Sequence, residues 1–98
     1  MVKHIVMWKL KDEAEGHTKQ ENADKIKKLL LSLPAVIPEI EELTVGINEN
    51  GGEYDVILLS AFSSYDALKT YDAHPEHQKV RAFVRAVVLS RAAFDFTV

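Results

Sequence analysis

The segment Val56–Phe62, with the sequence Val-Ile-Leu-Leu-Ser-Ala-Phe, restricts the fold more than any other part of this chain. Six of its seven residues are apolar, so a β-strand with this sequence has no polar face and is expected to be buried on both sides. The whole chain has 98 residues, which suffice for one domain with one core. We therefore expect residues 1–98 to form a single domain in which both faces of this strand are covered.

Three other segments alternate between two faces with the period of two that is typical of strands. They cover residues 2–11, 43–47 and 93–98. In the first of them, one largely apolar face carries Val2, His4, Val6, Trp8 and Leu10. Between the second segment and Val56–Phe62, the residues Asn-Glu-Asn-Gly-Gly at 48–52 tolerate positive φ angles, which predicts a hairpin turn.

A first helix is predicted between the first two of these strands. After a polar break at residues 12–16, Thr18 and Glu21 have the spacing of a capping box, in which each side chain satisfies the backbone N–H of the other at a helix start. Apolar residues follow at helical spacing, at positions 23, 26, 30 and 33. Pro34 is expected to end this helix.

A second helix is predicted after Val56–Phe62, and its sequence indicates that it is broken. Ser63 and Asp66 form a related capping pattern at its start. His74 precedes Pro75, and a proline disfavours helical geometry in the residue before it but suits the first turn of a new helix. The new helix is expected to continue to about Val87, before the last strand.

The order of these elements is β-α-β-β-α-β. It predicts an α+β, ferredoxin-like fold, with a four-stranded antiparallel sheet and both helices on one face. The other face then carries Ile5 and Met7 together with half of Val56–Phe62. Since a bare apolar face of this size is unusual on a soluble monomer, we expect a second copy of the sheet to cover it in an isologous homodimer.

The composition excludes several classes of protein. Twelve basic residues against 15 acidic ones give a formal net charge of −3, so there is no basic excess to bind nucleic acid. The chain has no cysteine, which excludes disulfides, thiol catalysis and cysteine-based metal sites. Residues 1–10 are interrupted by charge and too short for a secretory core or a membrane span. A cytoplasmic location without membrane association is the expectation, and no cofactor motif is present.

His77 is the residue on which a functional hypothesis depends. It lies seven residues before Val84, so helical periodicity turns it toward a buried stripe. In the first turn of a helix that starts at Pro75, the helix dipole and burial both disfavour positive charge. The prediction is a neutral imidazole that can act as a general base. Tyr71 can donate a hydrogen bond to a carbonyl or enolate oxygen, and His4 can approach from the first strand.

Each of these side chains also has a structural interpretation. An inward-facing histidine is often a satisfied core residue, which applies to His77 and His4. Tyr71 can direct its hydroxyl to water, and Trp8 is expected in the core. No metal is expected at His74 and His77, because the proline break turns the two rings in different directions and no cysteine completes a ligand set.

Two segments resemble the stress-responsive A/B barrel family, the Dabb domain. They are Val-Lys-His-Ile-Val-Met-Trp-Lys-Leu-Lys-Asp-Glu at residues 2–13 and Tyr-Asp-Ala-His-Pro-Glu-His at residues 71–77. The resemblance covers nearly the whole chain and includes the order of the elements. It implies a homodimer in which two four-stranded sheets close face to face into a dimeric α/β barrel, with the helices outside.

The resemblance also implies roles for individual residues. The family includes a plant polyketide cyclase that uses a histidine as base and a tyrosine to orient its substrate, without a cofactor. Its motif falls on His77 and Tyr71, and a pocket histidine falls on His4. The chain departs from that cyclase in the walls of the pocket, where aromatic residues and a further histidine are replaced. The positions concerned are Asn22, Ala23, Ile26 and Val56.

Three functional hypotheses follow from these residues. As an enzyme, the homodimer would bind a small oxo-compound or polyketide-like ligand and use His77 and Tyr71 for cofactor-free enolate chemistry of a cyclase-like or lyase-like kind. The expected substrate-binding residues are His4, Trp8, Ile26 and Leu58. The alternative is a non-catalytic, stress-related dimer that is protective or binds a ligand without converting it. A cofactor-free monooxygenase of the wider dimeric α/β-barrel group is the third hypothesis, and no single residue points to it.

Overall fold

The computed structural model describes residues 1–98. Its elements, in chain order, are β1 (Val2–Leu10), β2 (Glu13–Ala14), β3 (His17–Thr18), α1 (Lys19–Leu31), β4 (Glu42–Ile47), β5 (Val56–Phe62), α2 (Tyr65–Ala73), α3 (Pro75–Val87) and β6 (Val88–Thr97). The four long strands form one antiparallel sheet in the order β4-β5-β1-β6. This is the ferredoxin-like arrangement that the sequence predicts, with the second helix divided into α2 and α3.

The core lies between the helices and one face of the sheet. Strand β1 shows this directly. Its even-numbered residues face the helices and are buried, whereas its odd-numbered residues lie on the other face and are half-buried. The buried set is the predicted one, namely Val2, His4, Val6, Trp8 and Leu10. Burial of the apolar members contributes about 1.5–3 kcal/mol each, so the alternation fixes which face of β1 meets the helices.

Helix α1 begins as predicted and ends earlier. Both hydrogen bonds of the capping box between Thr18 and Glu21 are present. The helix stops at Leu31, and a short 3-10 helix at Leu33–Ala35 includes the proline. The polar break before α1 is not an open loop, because residues 13–14 and 17–18 pair as a small hairpin.

The start of α2 corrects the predicted cap by one residue. Ser64, not Ser63, is the N-cap, and its hydroxyl accepts a hydrogen bond from the backbone N–H of Ala67 at 3.1 Å. The physical reason is the backbone: Ser64 is extended at φ −158° and ψ 167°, which is the geometry from which a cap side chain reaches back to the first turn.

Within one protomer, β5 is covered fully only on the helix-facing side, and the other side is the one for which the sequence predicts a second copy as cover. The helix-facing residues of β5 are buried, but Leu59 on the opposite face is 41% exposed. The register pairs Ile5 with Leu59 on one side and with Phe94 on the other. Because Phe94 and Phe96 are also exposed, the side of the sheet without helices carries an apolar patch, which we call the open face.

None of the helices has the length and apolar character needed to cross a membrane.

Candidate functional site

A cavity of about 500 Å³ lies between α3 and the helix-facing side of the sheet. Strands β1 and β6 form one wall and the C-terminal part of α2 closes one end. Its walls combine apolar and aromatic side chains with a nearly equal share of histidine, aspartate and arginine side chains, so polar groups able to orient a small molecule are plentiful. Tyr71, His77 and His4 all line this cavity, so the three predicted polar residues share one space.

The break between α2 and α3 brings Tyr71 and His77 together. His74 leaves helical geometry with φ −65° and ψ 134°, and Pro75 starts the next helix. The Nδ1 atom of His74 accepts a hydrogen bond from the backbone N–H of Glu76 and caps α3. Across this turn, the rings of Tyr71 and His77 lie with their centroids 4.1 Å apart and their planes at 33°.

His77 is buried, and its ring orientation is fixed by the backbone. Its Nδ1 lies 3.2 Å from the carbonyl oxygen of Asp72, which can only accept, so Nδ1 carries the proton in this arrangement. The other nitrogen, Nε2, then has the free lone pair. Burial lowers the pKa of His77, against the opposing effects of the Asp72 carbonyl and carboxylate. The predicted neutral imidazole is thus the form that the geometry favours at neutral pH.

Tyr71 has a buried hydroxyl that no group in the chain satisfies. The residue is fully buried, its ring packs on Phe62 at 5.0 Å, and its Oη has no hydrogen-bond partner. Burial raises the pKa of this phenol, and the Asp72 carboxylate acts in the same direction. Tyr71 therefore stays protonated, with a donor free for a ligand. The expectation that its hydroxyl turns to water was wrong, because its end of α2 packs into the core.

His4 enters the site from the sheet and is paired with a carboxylate. Its Nδ1 lies 2.5 Å from Oδ1 of Asp95, which is its neighbour across β1 and β6. The ring of His4 stands edge-on to Tyr71 with centroids 6.4 Å apart. Sequence reasoning missed Asp95, although the alternation of the last strand puts it on the helix-facing side with His4.

The other predicted binding residues divide into two groups. Trp8 and Leu58 line the cavity, and Trp8 is also a core residue, as expected. Ile26 does not line it: α1 presents this side chain to the core, where it is completely buried. The substrate-binding role expected for Ile26 is corrected for that reason. Asn22, Ala23 and Val56 likewise lie outside the cavity lining.

Three arginines that the sequence did not single out also line the cavity. Arg81 and Arg85 follow His77 on α3 at intervals of four residues, and Arg91 lies on β6. The sequence contains a signal for two of them: Arg81 and Arg85 lie four and eight residues after His77, and residues four apart share one face of a helix. No group of three or more histidine and carboxylate side chains is arranged to hold a metal ion.

The sequence matches the model of the stress responsive A/B barrel domain family over residues 2–98. A dimeric protein of unknown function with a ferredoxin-like fold from Bacteroides fragilis is 35% identical, with a TM-score of 0.90 over 99% of this chain and 95% of its own. A dimeric ferredoxin-like protein from Thermobifida fusca is 23% identical, with a TM-score of 0.85 over 99% and 90%.

The hydroxynitrile lyase from Passiflora edulis is more distant in sequence. It is 17% identical, with a TM-score of 0.76 over 99% of this chain and 92% of its own, so the likeness shows the fold alone. Comparison with curated proteins gives no significant match.

Proposed function

The chain belongs to the stress responsive A/B barrel domain family, and on that premise we propose that its cavity binds a small carbonyl compound and transfers a proton next to the carbonyl without a cofactor. His77 is the base and Tyr71 the donor to the carbonyl oxygen. One observation carries the proposal: a buried, unpartnered tyrosine hydroxyl lies beside a neutral histidine on the wall of the same cavity.

The reaction starts at the carbon beside the carbonyl group. Nε2 of His77 takes a proton from that carbon, and the electron pair of the broken C–H bond moves toward the carbonyl oxygen as an enolate forms. The Tyr71 hydroxyl donates a hydrogen bond to this oxygen and stabilises its negative charge. In a cyclase-like reaction the enolate carbon then forms a bond with a second carbonyl carbon of the same molecule, and the imidazolium returns its proton to the new alkoxide.

The surroundings of the pair support this assignment. A buried donor that lacks a partner costs about 1–3 kcal/mol, and a ligand oxygen that accepts from Tyr71 recovers that energy. The Asp72 carbonyl holds His77 in the tautomer with Nε2 free. His4, held by Asp95, completes the polar end of the cavity. The hydroxynitrile lyase from Passiflora edulis shares this fold, and the chemistry proposed here rests on the residues of this chain.

The active form in this proposal is a homodimer. Its support is the apolar open face, where Leu59 and Phe94 are exposed although both flank the central strand. The relatives from Bacteroides fragilis and Thermobifida fusca are dimeric. Two open faces that meet would form a closed barrel, with the cavity of each protomer left on the outside, between its own sheet and helices.

Deuterium exchange tests the proposed chemistry without a known substrate. The probe is 2-octanone in D2O, and NMR follows the loss of the protons next to its carbonyl. We expect protein-dependent exchange that His77→Gln and Tyr71→Phe reduce at least about a hundredfold, the usual lower range of a general base or oxyanion donor. His17→Gln, which removes an exposed histidine, is the control and should leave exchange unchanged.

Two results would contradict the proposal. If His77→Gln exchanges the protons as fast as the unchanged protein, the base is wrongly assigned. If 2-octanone alters the fluorescence of Trp8, a cavity residue and the sole tryptophan, but no exchange occurs, the protein binds the ligand without converting it. That second result is the outcome expected of a non-catalytic, ligand-binding family member.

A further inference from the structure

The charged residues of the cavity are unevenly distributed along its length. Asp72 and Asp95 lie at the end that holds Tyr71 and His77. Arg85 and Arg91 lie at the opposite end, because α3 runs away from His77 and passes directly into β6. Arg81 lies one helical turn from His77, and its charge acts to lower the pKa of both His77 and Tyr71, so this end carries charges of both signs. The opposite end, with Arg85 and Arg91, is basic.

The distance between the two ends of the cavity can be calculated along α3 and, independently, along β6. His77 and Arg85 are eight residues apart on α3, which is about 12 Å at the rise of an α-helix. Asp95 and Arg91 are four residues apart on β6, which is about 13 Å in a strand. Since the register places Asp95 beside His4 and Arg91 beside Trp8, both walls give the same length and direction.

The three arginines of the cavity have no carboxylate partner within the chain. Arg81, Arg85 and Arg91 form none of the ion pairs in the structure, and all three line the cavity. A guanidinium group binds a carboxylate through two parallel hydrogen bonds. The basic end thus has the donors to fix the orientation of an anion and carries no carboxylate, whereas at the reactive end Asp72 and Asp95 oppose the attraction of Arg81 for an anion.

We infer that the ligand is an elongated oxo-carboxylate, with its carboxylate at Arg85 and Arg91 and its carbonyl group at Tyr71 and His77. This inference rests on the proposed function and names its substrate class. A monoanion fits best, because three arginines and two aspartates leave one net positive charge in the cavity apart from its histidines. The apolar wall between the ends, which includes Val84 and Trp8, suits a hydrocarbon chain.

A pair of matched ligands tests the carboxylate separately from the reaction. Trp8 lines the cavity and is the sole tryptophan, so its fluorescence reports binding. The probes are 7-oxooctanoate and its uncharged counterpart 7-oxooctanamide. We expect the acid to bind at least about tenfold more tightly than the amide, which is the scale of one charge-assisted hydrogen-bonded pair.

The double variant Arg85→Gln/Arg91→Gln should remove that difference. We expect this variant to bind the acid about tenfold or more weakly and to bind the amide with unchanged affinity. Lys79→Gln, which removes a cation of α3 that pairs with Glu76 outside the cavity, is the matched control and should bind both probes normally. Thermal unfolding of each variant verifies that it is folded.

Three results would overturn the inference: equal affinity for acid and amide, an unchanged preference for the acid in the double variant, or octyl phosphate binding more than about tenfold more tightly than octanoate. The last would identify a phosphate as the anion. In each case exchange of 2-octanone, which carries no charge, still tests the proposed function, so the two failures are distinguishable.

Discussion

The ring of Tyr71 lies 4.1 Å from that of His77, measured between centroids, although the two residues belong to different helices. In one continuous helix, residues six apart point about 120° away from each other and are about 9 Å apart along the axis. The extended backbone of His74 and the new helix start at Pro75 bring the rings into contact instead. The break is therefore the feature that builds the site.

The unpartnered hydroxyl of Tyr71 leads to an unusual stability prediction. Tyr71→Phe removes a buried donor without a partner and keeps the ring that packs on Phe62. We expect the free energy of unfolding to rise by about 1 kcal/mol, because the desolvation cost of the hydroxyl disappears. The same variant should lose the proposed activity. Chemical denaturation and the 2-octanone exchange assay measure the two effects.

Tyr65→Phe serves as the control for this prediction, since Tyr65 is exposed and its hydroxyl is solvated. We expect neither stability nor exchange to change in that variant. A clear loss of stability in Tyr71→Phe would show that its hydroxyl is hydrogen-bonded within the protein, and the donor would then not be free for a ligand.

The lowered pKa of His77 predicts how stability depends on pH. Burial disfavours the protonated ring, so the folded protein binds this proton less readily than the unfolded chain, in which histidine titrates near pH 6.5. The stability that the neutral ring of His77 contributes is fully present above about pH 6.5, and it is lost as the pH falls through the lower pKa of the folded state. Between about pH 7.5 and pH 5, we expect the free energy of unfolding to fall less in His77→Gln than in the unchanged protein.

Tyr65→Phe, a change at an exposed residue on the helix side, supplies the comparison for that measurement and should keep the original pH dependence. The rate of 2-octanone exchange should follow the same titration, constant at neutral pH and falling as His77 is protonated. If His77→Gln and the unchanged protein lose stability in parallel on acidification, the folded-state pKa of His77 is not lowered.

Much of the fold was predictable because local and long-range signals agree. The alternation in β1 predicts a strand, the capping box of Thr18 predicts a helix start, and His74-Pro75 predicts the helix break; the structure contains all three. Burial of β5 could not be decided from its own sequence. An apolar strand indicates that both faces are covered, but it does not say whether the cover belongs to the same chain, and in one protomer Leu59 is exposed.

The site was predictable in its polar residues and less so in its walls. His77 and Tyr71 followed from helix periodicity and the proline break, but Asp95 depends on the register of β6 against β1, which the sequence of β6 alone does not set. Ile26 has the helical spacing of a core residue and equally that of a cavity residue. Only the position of α1 over the sheet decides between the two.

The corrected cap of α2 can be tested by a pair of alanine substitutions. Ser64→Ala removes the hydroxyl that accepts from the Ala67 N–H, and we expect it to reduce the free energy of unfolding by about 1 kcal/mol. Ser63→Ala, one residue earlier, makes no such hydrogen bond and should be close to neutral. Denaturant titrations of both variants under the same conditions measure the difference, and the reverse order would restore Ser63 as the cap.

The open face gives a prediction about assembly. Leu59 lies on β5 with Ile5 beside it on the central strand, so Leu59→Glu would place an unpaired carboxylate in a dimer formed by two open faces, and twofold symmetry would place it there twice. Burying such a charge costs several kcal/mol. Light scattering should give twice the protomer mass of 11.0 kDa for the unchanged protein and one protomer for Leu59→Glu. Tyr65→Glu adds the same charge to an exposed residue on the helix side and should stay dimeric; a dimer that survives Leu59→Glu must use another surface.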